Sequence, residues 1–466
     1  MNENELVFLP LGGVGEIGMN VYLYGLGPPR RRQWLMVDLG VTFPDDREPG
    51  VDIVLPDLRF ITEERGNLAG ILLTHAHEDH FGAVADMWPR LGVPVYGTRF
   101  TLAMLREKLQ ETPWRNEVPL HEVPIGGRLS IGPFDLELVN MAHSIPETSA
   151  VMIRTGLGAV LHSADWKLDS DPGVGPPTDE AKLRRLGEEG VDVLVCDSTN
   201  ILSEGHTASE KAVASSLAEI IRRARGRVAV TSFASSVGRL INIARAAEAA
   251  GRHLVLVGRS MVRIVDLARE TGLWPEHLKT LSDEEFGHLP PESVVALLTG
   301  SQGEMRAALA RIAENQHPEV SLTRGDLVIF SARAIPGNES AIIRIQNKLA
   351  DMGVEVMTDW PGGPIHASGH PRQEEVAKLY GWVRPKALIP MHGEPRHLEA
   401  HAAFARAHGI APVRPVRTGT MVRLLPGEPE IIDDAPVGRI YRDGDILIPG
   451  DEDCIRERRK LSFVGS

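Results

Sequence analysis

Cysteine is nearly missing from this chain of 466 residues: Cys196 and Cys454 are the two present, too few for a disulfide framework. Aromatic residues make up 5%. No uninterrupted apolar run approaches the roughly 18 residues needed to cross a bilayer. The opening MNENELVFLP has neither the basic stretch nor the long apolar stretch of an export signal. Together these absences argue against a disulfide-stapled secreted protein and against a membrane partner, and they lead to the expectation of a cytoplasmic protein. A basic surplus is missing too. Fifty Lys plus Arg face sixty-three Asp plus Glu, a net charge of −13, which speaks against a general nucleic-acid binder. What is present is an ordinary globular composition, with 42% hydrophobic and 24% charged residues. The length of 466 residues corresponds to more than one domain of about 150.

The average charge hides an asymmetry. Residues 206–263 hold ten basic side chains, among them Lys211, Arg222, Arg239, Arg252 and Arg263, against Glu210, Glu219 and Glu248. That stretch is +7, against −20 for the rest of a chain totalling −13. Solvated helix faces or a phosphate-facing surface confined to one domain would both produce it.

The first 200 residues read as short strands punctuated by Gly and Pro, such as LVFLPLG, QWLMVDLG, LAGILLTH and FDLELVNMAH, with helical stretches such as RFTLAMLREKL between them. After VDVLVCDSTN the texture changes to longer alternation of helix and strand, which predicts parallel βαβ units. Thr207-Ala208-Ser209-Glu210 fits a capping box opening a helix, with Thr207 as N-cap. Short strands return in KALIPMHG, VRLLPG and ILIPG. The parse is therefore an α/β protein in which one domain, residues 1–204 and 363–440, is interrupted by a second at 205–362, with 441–466 as a tail.

Directly after the apolar strand GILLT comes His75-Ala76-His77-Glu78-Asp79-His80. A strand that ends and turns into a helix can aim His75 and His77 at one cation and Asp79 and His80 at another. Imidazole with carboxylate suits zinc or manganese. Three more candidates follow apolar strands: His143 after LELVNMA, Asp165 after AVLHSA and His392 after KALIPM. With them the set is complete. His75, His77 and His143 would hold a first metal, Asp79, His80 and His392 a second, and Asp165 would bridge. Two metals sharing a water suit hydrolysis at phosphorus and make a nucleophilic side chain unnecessary. Cys196, inside a β-rich run, is expected to be a buried structural thiol.

Gly- and Ser-rich turns between strand and helix bind phosphate through backbone N–H groups. Two lie in the insert: Ser232-Phe233-Ala234-Ser235-Ser236 after RVAVT, and Gly300-Ser301-Gln302-Gly303 after VVALLT. The glycine-rich Leu11–Gly18 segment resembles a dinucleotide fingerprint, but a strand follows it rather than a helix, so that reading fails.

Segments in order along nearly the whole chain, LPLGGVGEIGMN, LLTHAHEDHFGA, HSIPETSAV, HSADWKLD, VCDSTN, SFASS, TGSQGE, AIPGNE, HASGH and IPMHGE, resemble the β-CASP nucleases of the metallo-β-lactamase superfamily, and more narrowly the ribonuclease J family. The resemblance implies an αββα metallo-β-lactamase sandwich with an inserted β-CASP domain, two divalent metals with zinc ahead of manganese, and RNA cleavage in the groove between the domains. His370 in HASGH then aligns with a proton-donating histidine, and Asp197 in CDSTN with an acid that orients it. Asp197 could equally close an Asx-turn. Asp79, His370 and Asp197 form the expected catalytic set. His366 resembles a phosphate-contacting histidine, though a structural role suits it as well. The two turns resemble a pocket for an RNA 5′-monophosphate, which favours 5′-to-3′ exonuclease action with some endonuclease activity. Ala76, Ser236 and Pro371 stand where the family often has other residues. The family's further C-terminal domain is expected to be missing here. Assembly as a homodimer or homotetramer, and partners in an RNA-degradation complex, are implied in the same way. Hydrolysis of a small ester, lactone or β-lactam would use the same metal motif but leave the insert, HASGH and both turns without a role. An inactive scaffold for RNA-processing partners would be expected to have lost ligands that are all present.

Overall fold

The computed structural model describes residues 4–44, 48, 50–335, 337–414 and 416–464. Pro336 of the AIPGNE segment and the last two residues of the predicted tail lie outside them. Two mixed sheets form a sandwich. The first has eight strands in the order Glu430–Asp434, Thr420–Leu425, Glu5–Gly12, Val21–Gly27, Gln33–Val37, Leu68–Leu72, Val95–Gly97 and Leu120–Glu122. The second has seven: Ala411–Pro412, Ala387–Met391, Val193–Asp197, Gly158–His162, Ser149–Thr155, Phe134–Asn140 and Arg128–Ile131.

Alternation along the strands builds the layers. Leu6, Phe8, Tyr22, Tyr24, Leu35 and Val37 of the first sheet face Leu136, Leu138, Val151, Ile153, Val193 and Val195 of the second. The intervening residues turn outward onto helices. Val7, Leu9, Leu23 and Met36 pack on one side, and Val139, Met152, Leu161 and Leu194 on the other, against Glu180–Glu189 and Gln373–Val383. Strands buried on both faces read as continuous apolar runs, which is why they were visible in the sequence.

A five-stranded parallel sheet follows, ordered His253–Val257, Val294–Leu298, Val228–Thr231, Leu327–Phe330 and Glu355–Met357. Alternate residues such as Val228 and Val230 face one helical layer, while Ala229 and Val255 face the other. Parallel strands need such crossover helices, here Val237–Ala249 and Arg259–Glu270 among others. Residues of the predicted tail are not loose: Arg439–Asp443 and Ile446–Pro449 form a small sheet with Ile53–Pro56. The arrangement has the sandwich and the additional parallel-sheet layer that the family resemblance implies.

The helix after the first long domain segment is Glu210–Arg223, and its N-cap is Ser209, whose hydroxyl accepts from Ala212 N at 3.1 Å. This corrects the expected capping box. Thr207 instead donates its hydroxyl to the His370 carbonyl at 2.8 Å, and Glu210 is drawn away into an ion pair with Arg239. Part of the basic stretch is engaged within the protein. Arg239 and Arg252 point inward, Arg252 to the carbonyls of Ala224 and Gly226, while Arg222 and Arg223 pair with Glu219 and Arg263 with Glu107. Arg239 and Arg252 are thereby taken up inside the protein, while the side chains of Arg222, Arg223 and Arg263 stay more than half exposed.

Candidate active site

The site lies where several strands of the sandwich end. Leu68–Leu72 runs out into Thr74, His75 and His77, and a single turn of helix, Glu78–Phe81, carries Asp79 and His80. His143 follows Phe134–Asn140, Asp165 follows Gly158–His162, Asp197 closes Val193–Asp197, and His392 follows Ala387–Met391. Strand ends on a rigid sandwich fix side chains while leaving the loops free to bend. Five non-glycine residues with positive φ lie in these loops: Met19, Asp38, Glu147, Ala164 and His392. Such conformations cost free energy and collect where function requires them.

Two four-residue groups of donor atoms form here, His75 with His77, His143 and Asp165, and Asp79 with His80, Asp165 and His392, and a smaller third joins Asp165 to Asp197 and His370. In the first, His75 Nε2 and His143 Nε2 lie 3.1 and 3.0 Å from His77 Nδ1. In the second, Asp79 Oδ2 is 3.7 Å from His80 Nε2 and 3.6 Å from His392 Nε2. Asp165 is common to both. Its Oδ2 is 3.9 Å from His75, 3.7 Å from His143 and 3.2 Å from His80. Ligand atoms on an ion with bonds of about 2.0–2.1 Å sit about 3.0–3.4 Å apart, so the spacing is close to that of two coordination shells sharing one carboxylate. Asp165 Oδ1 and His392 Nδ1 are buried and touch each other at 3.1 Å, without the geometry of a hydrogen bond and with no other polar partner. Orphaned polar atoms of this kind fit a divalent cation.

The electrostatics differ between the two groups: burial opposes the charged form of His80 and His392, but the charges of Asp165 and Asp79 prevail and raise both imidazoles. Burial holds the His77 imidazole down at about 4 and pushes His75 and His143 well below their usual range, so all three are neutral and offer lone pairs at pH 7. Burial opposes the charged form of Asp165 as well, but the charges of His392, His80 and His370 outweigh it and keep the carboxylate ionised. Behind the donors, Asp38 accepts from Thr74 N at 2.7 Å and Thr74 Oγ1 at 2.8 Å, and lies 2.7 Å from His80 Nδ1. Asn20 sets its amide 2.9 Å from His80 Nε2 and 3.2 Å from Asp79 Oδ2, and is itself held by Tyr22. Neither Asp38 nor Asn20 was found from the sequence; an aspartate closing the strand MVDLG was the available signal. Gly40 makes the approach possible, since a Cβ there would stand 1.7 Å from the Asp79 carbonyl oxygen.

His370 stands beside both groups, its ring 5.2 Å from that of His143 and 5.5 Å from that of His392. Its Nδ1 is 2.8 Å from Asp197 Oδ2, while Asp197 Oδ1 accepts from Thr199 N. The two readings of Asp197 thus coexist: one oxygen closes an Asx-turn and the other holds the histidine. Burial pushes the His370 imidazole down, but the charges of Asp197 and Asp165 win and raise it to about 9. Asn200 and Thr207 pin its carbonyl at 3.0 and 2.8 Å. Cys196 is buried, and burial lifts its thiol to about 12, which leaves it inert as a nucleophile.

In the parallel sheet, Ser232–Ser236 follows Val228–Thr231 and Gly300–Gly303 follows the adjacent strand Val294–Leu298. The two turns therefore lie side by side at the carboxyl edge, the usual binding edge of an open α/β sheet. Ser232, Ser301 and Gln302 are buried, Phe233, Ala234 and Ser235 partly so. The Gln302 amide donates to the Arg333 carbonyl at 3.0 Å and accepts from Ile335 N at 2.8 Å, clipping the neighbouring loop to the turn. His366 joins this neighbourhood through charges: burial, then Arg239, holds its imidazole down at about 3, and its Nδ1 has no hydrogen-bond partner.

The model of the metallo-β-lactamase superfamily matches residues 14–235, that of the ribonuclease J β-CASP domain residues 225–349, and that of the Zn-dependent metallo-hydrolase RNA specificity domain residues 364–415. A ribonuclease J of Sinorhizobium meliloti is 53% identical over 463 residues, covering 99% of this chain and 82% of its own. The chain belongs to the ribonuclease J family. A ribonuclease J of Mycolicibacterium smegmatis is 42% identical over 95% of this chain and 78% of its own, and one of Thermus thermophilus 36% identical over 99% and 82%. A crystal structure of a protein of unknown function from Enterococcus faecalis matches with a TM-score of 0.61 and 16% identity, covering 92% of this chain and all of that one, and shares the fold. As a ribonuclease J family member the chain is a metal-dependent hydrolase of RNA, with His and Asp clusters for divalent metal. Among the described residues no helix is long and apolar enough to cross a membrane.

Proposed function

We propose that this ribonuclease degrades RNA from the 5′ end, preferring a 5′-monophosphate, with endonuclease activity as a secondary mode. The observation that carries this reading is the pair of turns, Ser232–Ser236 and Gly300–Gly303, at the carboxyl ends of neighbouring parallel strands. Backbone N–H groups at such turns favour a terminal phosphate dianion. His366 completes the pocket. The metal ligands are His75, His77 and His143 for one ion and Asp79, His80 and His392 for the other, with Asp165 shared and zinc ahead of manganese as the ion. When bound, the ions supply Lewis-acid polarisation of the phosphate and an activated water near neutral pH. Asp79 fixes the site's geometry. Asp197 holds His370 through Nδ1, so the protonated ring presents Nε2–H to the leaving ribose oxygen. The insert is taken to span 205–362, and the reaction to occur in the cytoplasm alongside its RNA substrate. The reading extends to self-assembly as a dimer or tetramer and to partners in RNA degradation, both drawn from the family.

The test uses 3′-labelled RNA of one sequence bearing a 5′-monophosphate, 5′-triphosphate or 5′-hydroxyl. Loss of nucleotides from the 5′ end, fastest on the monophosphate and abolished by chelator, is expected. Equal rates on all three substrates contradict the end preference.

A further inference from the structure

A line of buried polar side chains runs from the bridging-carboxylate segment to the phosphate turns. Lys167 Nζ lies 2.9 Å from Asp169 Oδ2 and 3.5 Å from Glu210 Oε1. Asp169 Oδ2 also accepts from Glu210 N at 2.8 Å. Glu210 grips Arg239 with two bonds, of 2.6 and 2.7 Å. The remaining Arg239 nitrogen, Nη1, donates to the Ser331 carbonyl at 2.9 Å and to its hydroxyl at 3.0 Å, and that hydroxyl donates to the Ile365 carbonyl at 2.6 Å. None of Lys167, Asp169, Glu210, Arg239 and Ser331 is more than 5% exposed.

Both ends of the line meet functional segments. Lys167 is two residues beyond Asp165, and its N–H is bonded at 2.8 Å to Ala142, the neighbour of His143. Arg239 lies in the first turn of Val237–Ala249, immediately after Ser232–Ser236. Ser232 donates its hydroxyl to the Ser331 carbonyl at 3.4 Å, and Ile365 precedes His366. A cavity of about 10 Å³ is lined by His143 and Glu147 together with Glu210 and Arg239.

Two cations and two anions are neutral together, yet burying them gains little stability, because well-packed apolar residues generally serve as well. What the ions add is geometry. The planar guanidinium fork fixes both distance and angle, which a lysine ammonium cannot do. We propose that Lys167, Asp169, Glu210, Arg239 and Ser331 are positioning residues that hold the phosphate turn and His366 at a set distance from the Asp165 centre. They thereby couple recognition of the RNA 5′ end to cleavage. The inference rests on the 5′-end reading above.

Arg239→Lys keeps a charge opposite Glu210 but cannot reach Ser331 as well, and Ser331→Ala removes the hydroxyl with little change of shape. Both are compared with the unaltered chain on 5′-monophosphate and 5′-hydroxyl RNA, with metal per chain measured alongside. The ratio of kcat/KM between the two RNAs is expected to fall about tenfold or more in Arg239→Lys, and in the same direction in Ser331→Ala, through a higher KM for the monophosphate. Metal content and 5′-hydroxyl turnover stay close to those of the unaltered chain. A ratio that does not change, or equal loss on both RNAs, overturns the inference while leaving the parent reading intact. If Arg239→Lys does not fold, Ser331→Ala decides. No end preference in the unaltered chain overturns the reading and the inference together.

Discussion

Asp38 spends one oxygen on Thr74 N and the other on Thr74 Oγ1 and His80 Nδ1, so His80 is held with Nε2 turned toward Asp79 and Asp165. Outer-shell carboxylates of this kind set the tautomer and orientation of a ligand histidine. Asp38→Asn is expected to lower metal affinity about 10- to 100-fold in a competition with chelator while the protein stays folded. Affinity equal to that of the unaltered chain contradicts an orienting role. His370 differs: its Nδ1 is committed to Asp197, and its distance to Asp165 Oδ2 is 3.9 Å. His370→Ala should therefore reduce turnover about 10²- to 10⁴-fold with both metals retained. Loss of metal in that variant would make His370 a ligand and remove it as the proton donor. The ligand string was legible because four donors fall within six residues. Asp38 and Asn20 were not, because a single Asp or Asn at a strand end looks like any turn residue until folding brings His80 to it.

Single elements also carry charge arrangements that sequence counting misreads. Glu210 carried the signature of a capping box, but Arg239 outcompetes a backbone N–H for its carboxylate, and Ser209 takes the cap. Likewise the +7 of residues 206–263 was visible, while the inward turn of Arg239 and Arg252 was not. On the strand Phe134–Asn140, Glu137 is 3% exposed and receives Arg128, Arg154, Arg185 and Lys182. Burial raises its carboxyl, but hydrogen bonds from Arg128 and Arg154 and the charge of Arg185 prevail and bring it to about 2. A depressed folded-state value gives stability that is present above the unfolded value of about 4.5 and is lost as pH falls toward 2. Glu137→Gln should cost about 1–3 kcal/mol at pH 7. In denaturant melts against the unaltered chain, the gap should close between about pH 4.5 and 2. A gap independent of pH would show that the carboxylate charge contributes nothing.

For the whole molecule, the strands of the sandwich and of the parallel sheet were readable as apolar runs, whereas their stacking into an αββα sandwich came only from the family resemblance. The small sheet joining Arg439–Asp443 and Ile446–Pro449 to Ile53–Pro56 was not, since nearly 400 residues separate the partners and pairing over that distance leaves no local mark. The same separation organises the site: the rings of His80 and His392 lie 5.4 Å apart although more than 300 residues separate them in the chain. Central to the account is the claim that these distant donors hold two ions on which RNA hydrolysis depends. Its most direct measurement is titration of the chelator-stripped protein with Zn²⁺ or Mn²⁺, following metal bound per chain and RNA cleavage in the same samples, with His77→Ala as control. Cleavage that rises as the second equivalent binds, and is lost in His77→Ala, is predicted. Full cleavage by the metal-free protein, or by His77→Ala at the rate of the unaltered chain, would contradict it.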